Sequence, residues 1–258
     1  MKFMRSSLTE RLAGFLKNIY WNLPPALGTI ISKTSLRYLN KKPYRSLEEL
    51  VDLAFSFRFI PLAPLKMDFA PLSIMPAQVR EEILELLKVL IQCKPRNILE
   101  IGTSRGGTLF LFSRIASPDA IIISIDLPGG PFGGGYPVWE IPIYRSFVLP
   151  SQKLSLIRGD SHDFRTLQIV KEILGDKNLD FCFIDGDHTY KGVKKDFEMY
   201  SPLVRKGGII AFHDIVPHPP ETRCEVNKFW NEIKYNYRYK EIVRNWTQKW
   251  AGIGVLFK

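Results

Sequence analysis

Cysteine is scarce in this sequence of 258 residues. The three cysteines, Cys93, Cys182 and Cys224, form an odd, widely scattered set that contains no CxxC pair. Disulfide frameworks use even sets of cysteines at short spacings, and structural zinc sites use paired cysteines. We therefore expect neither a disulfide framework nor a structural zinc site. Cys182 lies inside an apolar run, which predicts a small core residue.

Long apolar runs are also missing. No run reaches about 18 residues, so the sequence predicts no membrane-spanning helix. The basic start, MKFMRSS, is followed by Glu10 and Arg11 instead of the compact apolar segment of a signal peptide. These two absences lead us to expect an intracellular, cytoplasmic protein. Its length and its hydrophobic content of 45% are enough for one large α/β domain with an appendage.

Acidic residues are almost absent from the opening segment, where Glu10 faces nine lysines and arginines between residues 1 and 45. A basic arm of this kind fits contact with a membrane surface, a nucleic acid or an acidic partner. It also fits a solvated arm that packs on its own domain or on a second subunit. We favour the second interpretation and expect a homo-oligomer, while peripheral membrane contact through the arm stays open.

We interpret residues 1–75 as an N-terminal helical arm and substrate lid. Apolar residues at helical spacing predict an amphipathic helix over residues 7–22, and Ser46 with Glu49 forms a capping box that begins another helix. Residues 59–76 are apolar but contain four prolines, which exclude a continuous helix or central strand. This segment is either a lid on a pocket or a strap across the core.

Residues 76–258 are predicted to form the main domain, in which strands and helices alternate. After a helix over residues 77–92, short apolar strands are predicted at residues 98–101, 120–125, 154–157, 179–184 and 209–212, with helices at 106–116, 164–174, 190–203 and 223–233. Such alternation predicts a parallel sheet covered on both faces by helices. Two further strands, at residues 239–243 and 252–257, form a hairpin-like pair that adds an antiparallel strand.

Two of the predicted parallel strands end in acidic residues, Asp185 and Asp214. Because the carboxyl ends of neighbouring parallel strands meet at one edge of the sheet, both carboxylates face the same small volume. They repel each other unless a cation or a shared proton lies between them. The pair is therefore either a metal-assisted active site or a pair of solvated loop acids.

A glycine turn follows the first predicted strand. Gly102 permits a tight turn and Gly106 a close approach of the backbone, but the segment is neither GxGxxG nor a P-loop. Asp126 ends the next strand, where an acid accepts hydrogen bonds from both hydroxyls of a ribose. The combination predicts a ligand that contains adenosine.

Taken together, these residues resemble a known family. Glu100, Gly102, Gly106, Asp126 and Gly159-Asp160-Ser161, with the runs FIDGDHTY and GGIIAFHD, are similar to the class I S-adenosylmethionine-dependent methyltransferases. Within this family they most resemble the metal-dependent O-methyltransferases that act on catechols, cephamycin precursors and macrolide sugars. The resemblance covers residues 76–258. It implies an α/β fold, a Rossmann-like doubly wound sheet of seven mostly parallel strands with a terminal antiparallel strand.

The resemblance also implies roles for individual residues. Glu100, Gly102 and Gly106 would line the methionine end of the cofactor, Asp126 would hold the ribose, and Asp160 and Ser161 would flank the adenine. Thr103, Leu127 and Asp185 complete the implied cofactor set. Asp185 and Asp214 match metal positions, and His188 matches a catalytic base. His213 departs from the carboxylate that relatives often carry there, so the set Asp185, His213 and Asp214 would hold Mg²⁺ poorly and Mn²⁺, Fe²⁺ or Zn²⁺ better. We expect Mg²⁺ or Mn²⁺ as the ion.

We therefore expect an S-adenosylmethionine-dependent O-methyltransferase that acts on a hydroxylated small molecule, a sugar or a secondary metabolite. A divalent ion would orient the acceptor and His188 would take its proton.

Three other functions were considered. A nicotinamide oxidoreductase would use the same turn and Asp126, but this sequence lacks the GxGxxG motif of such enzymes. A nucleic-acid methyltransferase would use the basic arm, although no basic stripe interleaved with aromatic residues supports it, and a non-catalytic cofactor-binding protein stays open. His162 and His218 are either substrate contacts or, the interpretation we favour, surface-loop residues.

Overall fold

The computed structural model describes residues 44–57, 73–132 and 134–258, and short stretches between residues 15 and 34. Most of the basic arm, of the predicted helix over residues 7–22 and of the proline-interrupted segment over residues 59–76 lies outside the described residues. In the part that is described, no helix combines the length and the apolar character needed to cross a membrane.

The described strands form one sheet of seven strands in the order β3-β2-β1-β4-β5-β7-β6. Five strands run parallel, and β7 is antiparallel to both of its neighbours. This confirms the predicted architecture and the antiparallel strand near one side. The strands are β1 Asn97–Ile101, β2 Ile121–Asp126, β3 Lys153–Arg158, β4 Leu179–Ile184, β5 Val204–His213, β6 Arg238–Ile242 and β7 Ile253–Phe257.

Helices cover both faces of the sheet, as the alternation of elements predicts. They are α1 Leu47–Ser56, α2 Arg80–Cys93, α3 Gly107–Ile115, α4 Ile141–Arg145, α5 Phe164–Leu174, α6 Tyr190–Tyr200 and α7 Val226–Ile233. One core contains the apolar sides of α1, α2 and α3, and the other those of α5, α6 and α7. Phe112 of α3 packs edge-on against Phe181 and Phe183 of β4, and Phe229 of α7 packs edge-on against Phe212 of β5.

The start of α1 was predicted from its capping residues. Ser46 caps α1, because its hydroxyl accepts the Glu49 N–H at 3.2 Å, and the Glu49 carboxylate accepts the Arg45 N–H at 2.7 Å. The capping-box prediction is confirmed, with the return bond one residue earlier than usual.

The strand β5 begins five residues earlier than predicted. Gly207 and Gly208 precede the predicted strand over residues 209–212, but in the structure they lie inside it. Gly207 has φ +74, and the register between β4 and β5 shifts between Leu179 and Phe181. The glycines therefore absorb an irregularity within the strand, which is a known role of glycine in sheets.

A buried carboxylate ties α2 to the connection between β6 and β7. Glu82 accepts the N–H groups of Arg244 and Gly252 at 2.9 and 2.8 Å, and its Oε1 also accepts the Gln248 amide at 2.8 Å. Three donors compensate the loss of water around this carboxylate. The connection is thereby held in place directly behind the ends of β4 and β5.

The turn after β1 requires glycine at residue 102. Gly102 has φ +96, and a Cβ built on it would lie 2.0 Å from the backbone oxygen of Asp185. Its N–H donates to the Ile125 oxygen at 2.8 Å, and the Asp185 N–H donates to the Ile101 oxygen at 2.8 Å. No side chain fits between the ends of β1 and β4 at this point.

We predict that Gly102→Ala lowers the free energy of unfolding by about 3 kcal/mol or more, because backbone strain and a clash with backbone atoms add. Gly129→Ala is the matched control: Gly129 has φ +74 but no atom within 4 Å of the added Cβ. That variant should lose only about 1 kcal/mol. Denaturant unfolding of both variants measures the difference, and equal losses would show that the close approach to Asp185 is unimportant.

Candidate active site

The ends of β1, β4 and β5 lie side by side. Ile101 pairs with Ile184, and Ile184 pairs with Phe212, so the next residues of each strand emerge at one level of the sheet edge. One ligand atom each from Asp185, His213 and Asp214 lie within 4.8 Å of one another. The predicted convergence of these three residues is therefore present.

Asp214 is the centre of a cluster of imidazoles. Its Oδ2 lies 2.7 Å from His188 Nδ1, and its Oδ1 lies 3.1 Å from His218 Nε2 and 3.3 Å from His213 Nδ1. The Ala251 N–H also donates to Oδ1, at 2.9 Å. The backbone of Asp214 has φ +64, a conformation that costs free energy in a residue other than glycine and that clusters at functional sites.

Asp185 is held from two sides. Its Oδ1 lies 3.1 Å from His213 Nδ1, and its Oδ2 accepts the Gln78 side-chain amide at 2.8 Å. Gln78 precedes α2 and is far from Asp185 in the chain, so no local sequence signal pointed to it. The amide fixes the direction of the Asp185 carboxylate.

Imidazole protons lie between the two carboxylates. Burial alone would lower the pKa of His188, but hydrogen bonds with Asp214 and Cys224 and the charge of Asp185 raise it to about 10. Burial opposes protonation of His218 as well, yet its bonds with Asp214 and Cys224 raise its pKa to about 9. Burial would raise the pKa of Asp214, but the His213 charge and the imidazole hydrogen bonds hold it well below its usual value. The expected repulsion between the acids is thus relieved by protons on their neighbours.

The donor set of Asp185, His213 and Asp214 fits a divalent ion. The two carboxylates are ordinary ligands of both Mn²⁺ and Mg²⁺, whereas the imidazole suits Mn²⁺ and is a poor ligand of Mg²⁺. All three residues are mostly buried, and their ligand atoms already lie within the span of a single coordination sphere.

A cavity of about 270 Å³ adjoins this cluster. Gly186 and Asp187, which follow Asp185 directly, belong to its wall, and the ring of Phe132, another wall residue, lies 4.8 Å from the His188 ring. The remaining described wall residues are Ile101, Gly102, Ile125, Asp126, Leu127, Gly130, Pro131, Gly134, Gly159, Asp160, Ser161 and His162. The cavity therefore lies directly beside the carboxylate cluster.

Asp126 organises the loop between β1 and α3. Its Oδ2 accepts the N–H groups of Thr103 at 2.9 Å and Ser104 at 2.5 Å. Burial raises the pKa of Asp126 to about 6, although these backbone hydrogen bonds oppose the rise. Its Oδ1 is on the side of Gly134, where a Cβ would lie 3.0 Å from it. Asp126 thus holds the loop after β1 with its Oδ2 atom, and it also lines the cavity.

The structure divides the predicted cofactor residues into two groups. Gly102, Asp126, Leu127, Asp160 and Ser161 line the cavity, whereas Glu100, Thr103, Gly106 and Asp185 are not among its described wall residues. Glu100 is fully buried, and the Ser124 hydroxyl donates to it at 2.8 Å. A Cβ on Gly106 would lie 2.8 Å from the Tyr144 ring, so this glycine serves packing. The roles of all nine in cofactor binding stay predictions.

Two histidines interpreted as surface-loop residues are in fact largely buried, so that interpretation was wrong. The side chains of His162 and His218 are 17% and 9% exposed. His162 lines the cavity, with Nε2 3.2 Å from Asp196 Oδ1, and the hydrogen bond with Asp196 raises its pKa. Asp187 lies just before α6, where its Oδ1 accepts the Thr189 N–H at 2.9 Å, while Thr189 itself caps the helix, since its hydroxyl accepts the Gly192 N–H at 3.0 Å.

Comparison with known proteins identifies a matching family and sequence relatives. Residues 99–215 match the family described as Methyltransferase domain. An uncharacterized protein of Acanthamoeba polyphaga mimivirus is 40% identical over 166 residues, which are 62% of this chain and 72% of that protein. An uncharacterized protein of Sinorhizobium fredii is 26% identical over 172 residues, 64% of this chain. The match spans only 17% of the length of the Sinorhizobium protein.

Solved structures share the fold. An O-methyltransferase from Bacillus cereus in complex with SAH is 18% identical, with a TM-score of 0.50, and the match covers 91% of this chain and 100% of that one. A Staphylococcus aureus protein, provisionally assigned as a caffeoyl-CoA O-methyltransferase, is 22% identical, with a TM-score of 0.51, and the match covers 88% of this chain and 98% of that one. At these identities the likeness establishes the fold alone.

We predict that Glu100 makes the stability of the protein depend on pH. Burial raises its pKa from 4.5 to about 8, so the folded state binds a proton that the unfolded state has lost between these two values. The stability contributed by this proton is complete below pH 4.5, falls as the pH rises to about 8, and is then flat.

The variant Glu100→Gln should remove this dependence. The difference in unfolding free energy between wild type and variant is expected to change by up to about 5 kcal/mol across this range. Denaturant unfolding at several pH values measures it, with Glu198→Gln, an exposed residue of α6, as the control. A difference that stays constant with pH would mean that the pKa of Glu100 is the same in the folded and the unfolded protein.

Proposed function

The chain belongs to the methyltransferase-domain family, and on that premise we propose that it transfers a methyl group from S-adenosylmethionine to a hydroxyl of a small molecule, a sugar or a secondary metabolite. The observation that carries the proposal is the position of the carboxylate–imidazole cluster beside the cavity. Gly186 and Asp187 line the cavity and directly follow Asp185, so a methyl donor in the cavity and an acceptor at the cluster would meet.

The charge of the cavity supports a cationic methyl donor. Asp126, Asp160 and Asp187 belong to its wall, and no lysine or arginine is found among the wall residues that the structure describes. S-adenosylmethionine carries a positive sulfonium, whereas a nicotinamide dinucleotide carries two phosphates. An acidic wall favours the sulfonium and disfavours the phosphates.

The loop after β1 also disfavours a dinucleotide. In dinucleotide-binding folds the N–H groups at this loop and at the following helix N-terminus bind the pyrophosphate. Here the N–H groups of Thr103 and Ser104 donate to Asp126. The methyltransferase domain match and the occupied donors together favour methyl transfer over hydride transfer.

We assign His188 as the general base and Asp214 as its positioning partner. In the form of His188 that carries one proton, Asp214 holds that proton on Nδ1 at 2.7 Å, which leaves Nε2 as the atom that takes the proton of the acceptor hydroxyl. Because the pKa of His188 is raised to about 10, the population of this form grows as the pH rises toward that value. Phe132 packs against the His188 ring and helps to fix its plane. His188 thus faces the acceptor with one nitrogen while the other is anchored.

Asp185, His213 and Asp214 would hold a divalent ion, Mg²⁺ or Mn²⁺. When bound there, the ion supplies Lewis-acid polarisation of the acceptor hydroxyl and lowers its pKa. The chain's own contribution is to fix the two carboxylates, through Gln78 on Asp185 and Ala251 on Asp214. A nucleic-acid acceptor would depend on the basic arm, most of which lies outside the described residues, and no observation favours it.

We predict that the protein binds S-adenosylmethionine and does not bind NAD, because the cavity wall is acidic. Isothermal titration calorimetry with both ligands measures this. Asp126→Asn should weaken binding of S-adenosylmethionine at least about tenfold by removing the charge at the cavity, whereas Asp119→Asn, in a surface ion pair with Arg96, should leave it unchanged. Tighter binding of NAD than of S-adenosylmethionine would contradict the proposal.

We predict that His188→Ala lowers methyl transfer by about 10²- to 10⁴-fold through loss of the base, and that Asp185→Asn lowers it through loss of a metal ligand. Transfer of a labelled methyl group to a panel of hydroxylated acceptors measures activity, and calorimetry should show that both variants still bind S-adenosylhomocysteine. Chelation should abolish activity and Mn²⁺ or Mg²⁺ should restore it. Wild-type rates in both variants would show that the chemistry has been assigned to the wrong residues.

A further inference from the structure

Cys224 lies beside the site but has no part in the proposed reaction. It lies two residues before the start of α7 and is half-buried. Its sulfur, one ligand atom of His188 and one of Asp214 all lie within 4.8 Å of one another. The sequence carried no sign of this cluster, because its members are not closely spaced and Cys224 has no cysteine partner.

His218 adds a fourth donor to the same cluster. Its Nε2 lies 3.1 Å from Asp214 Oδ1, and the Cys224 side chain interacts with both His188 and His218. His188, Asp214 and Cys224 thus surround a single point, and the His218 imidazole, which contacts the same carboxylate, is the neighbouring fourth donor. Four donors of this kind are the usual ligands of a tetrahedral Zn²⁺ site, whereas Mg²⁺ requires oxygen ligands in octahedral geometry.

We propose that His188, Asp214, Cys224 and His218 form a second metal site, which binds Zn²⁺ and which we call the thiol site. It differs from the set of Asp185, His213 and Asp214 in chemistry, since the thiol favours a soft ion and the two carboxylates of the other set favour a hard one. Asp214 belongs to both sets, so full occupancy of one removes a ligand from the other.

The thiol site is held together before any ion binds. The His188 carbonyl accepts the Glu225 N–H at 2.7 Å, which fixes the segment that carries Cys224 against the loop that carries His188. The Cys224 N–H donates to the Thr222 hydroxyl at 3.2 Å, and Ala251 holds Asp214. Fixed ligands reduce the entropy lost on binding. The half-buried position of Cys224 leaves the site open to an ion from solution.

Zinc in the thiol site would stop methyl transfer. A His188 nitrogen whose lone pair is bound to zinc cannot accept the proton of the acceptor, and Asp214 can no longer serve both ions fully. This consequence rests on the proposed function, while the binding of the ion does not. Hard divalent ions would therefore support methyl transfer, and soft divalent ions would inhibit it.

Titration of the full-length, reduced, metal-free protein with Co²⁺ tests the site, because Co²⁺ replaces Zn²⁺ and shows a charge-transfer absorption when a thiolate binds it. We expect this absorption in the wild type, its loss when Zn²⁺ is added, and its absence in Cys224→Ser. Cys93→Ser, which removes an exposed thiol elsewhere, should retain it. His218→Gln should keep the absorption but weaken Co²⁺ binding at least about tenfold.

Two further measurements separate the thiol site from its alternatives. Asp185→Asn removes a ligand of the carboxylate set and none of the thiol site, so this variant should keep the absorption. Thermal unfolding without metal should show that Cys224→Ser is folded. An absorption that is missing in the wild type, persists in Cys224→Ser or disappears in Asp185→Asn would overturn the proposal.

The effect on catalysis is measured as the ratio of methyl transfer with and without Zn²⁺. The ratio should fall at least about tenfold in the wild type and much less in Cys224→Ser. If no acceptor is methylated, the proposed function fails while the cobalt absorption still reports on the thiol site. If methyl transfer occurs without any thiolate absorption, only the thiol site fails.

Discussion

The shared register of β1, β4 and β5 is the constraint on which the site depends. Hydrogen bonding aligns Ile101 with Ile184 and Ile184 with Phe212, so the three strands leave the sheet at one level. Gly102 then approaches the Asp185 backbone so closely that no side chain fits between them. A slip of one residue would turn each side chain to the opposite face. The chemistry of the edge therefore follows from backbone pairing before any side chain is considered.

Sequence periodicity predicted the elements that create this register. The strand over residues 179–184 was predicted with the bounds that the structure gives it, and parallel topology alone brought Asp185 and Asp214 together. The contacts of Gln78, His218 and Cys224 could not be predicted, because they depend on how irregular connections fold back over the sheet edge. Local spacing carries no information about such contacts, whereas strand and helix periods do. The arm and lid stay predictions.

The charge of the whole chain is a poor guide to the charge of its site. The sequence carries a formal net charge of +10, yet three aspartates line the cavity without a described lysine or arginine. At the neighbouring cluster two carboxylates are balanced by three imidazoles, not by lysine or arginine. A field of this kind is set locally, since exposed charges more than a Debye length away are largely screened, whereas the buried charges of the site are screened much less. The basic residues of the arm contribute to the net charge of the chain but do not determine the charge of the site.

The position of β7 in the sheet has a consequence for the growing polypeptide. β7 lies between β5 and β6 although it follows both in the chain, so the edge of β5 stays unpaired until the ribosome has made all of them. His213 pairs with Ile253 of β7, and the Ala251 N–H just before that strand holds Asp214. Every proposed metal ligand is thus synthesised before the segment that fixes two of them. A nascent chain carries the ligands before it carries the site, and until then its open β5 edge is exposed to pairing with other chains.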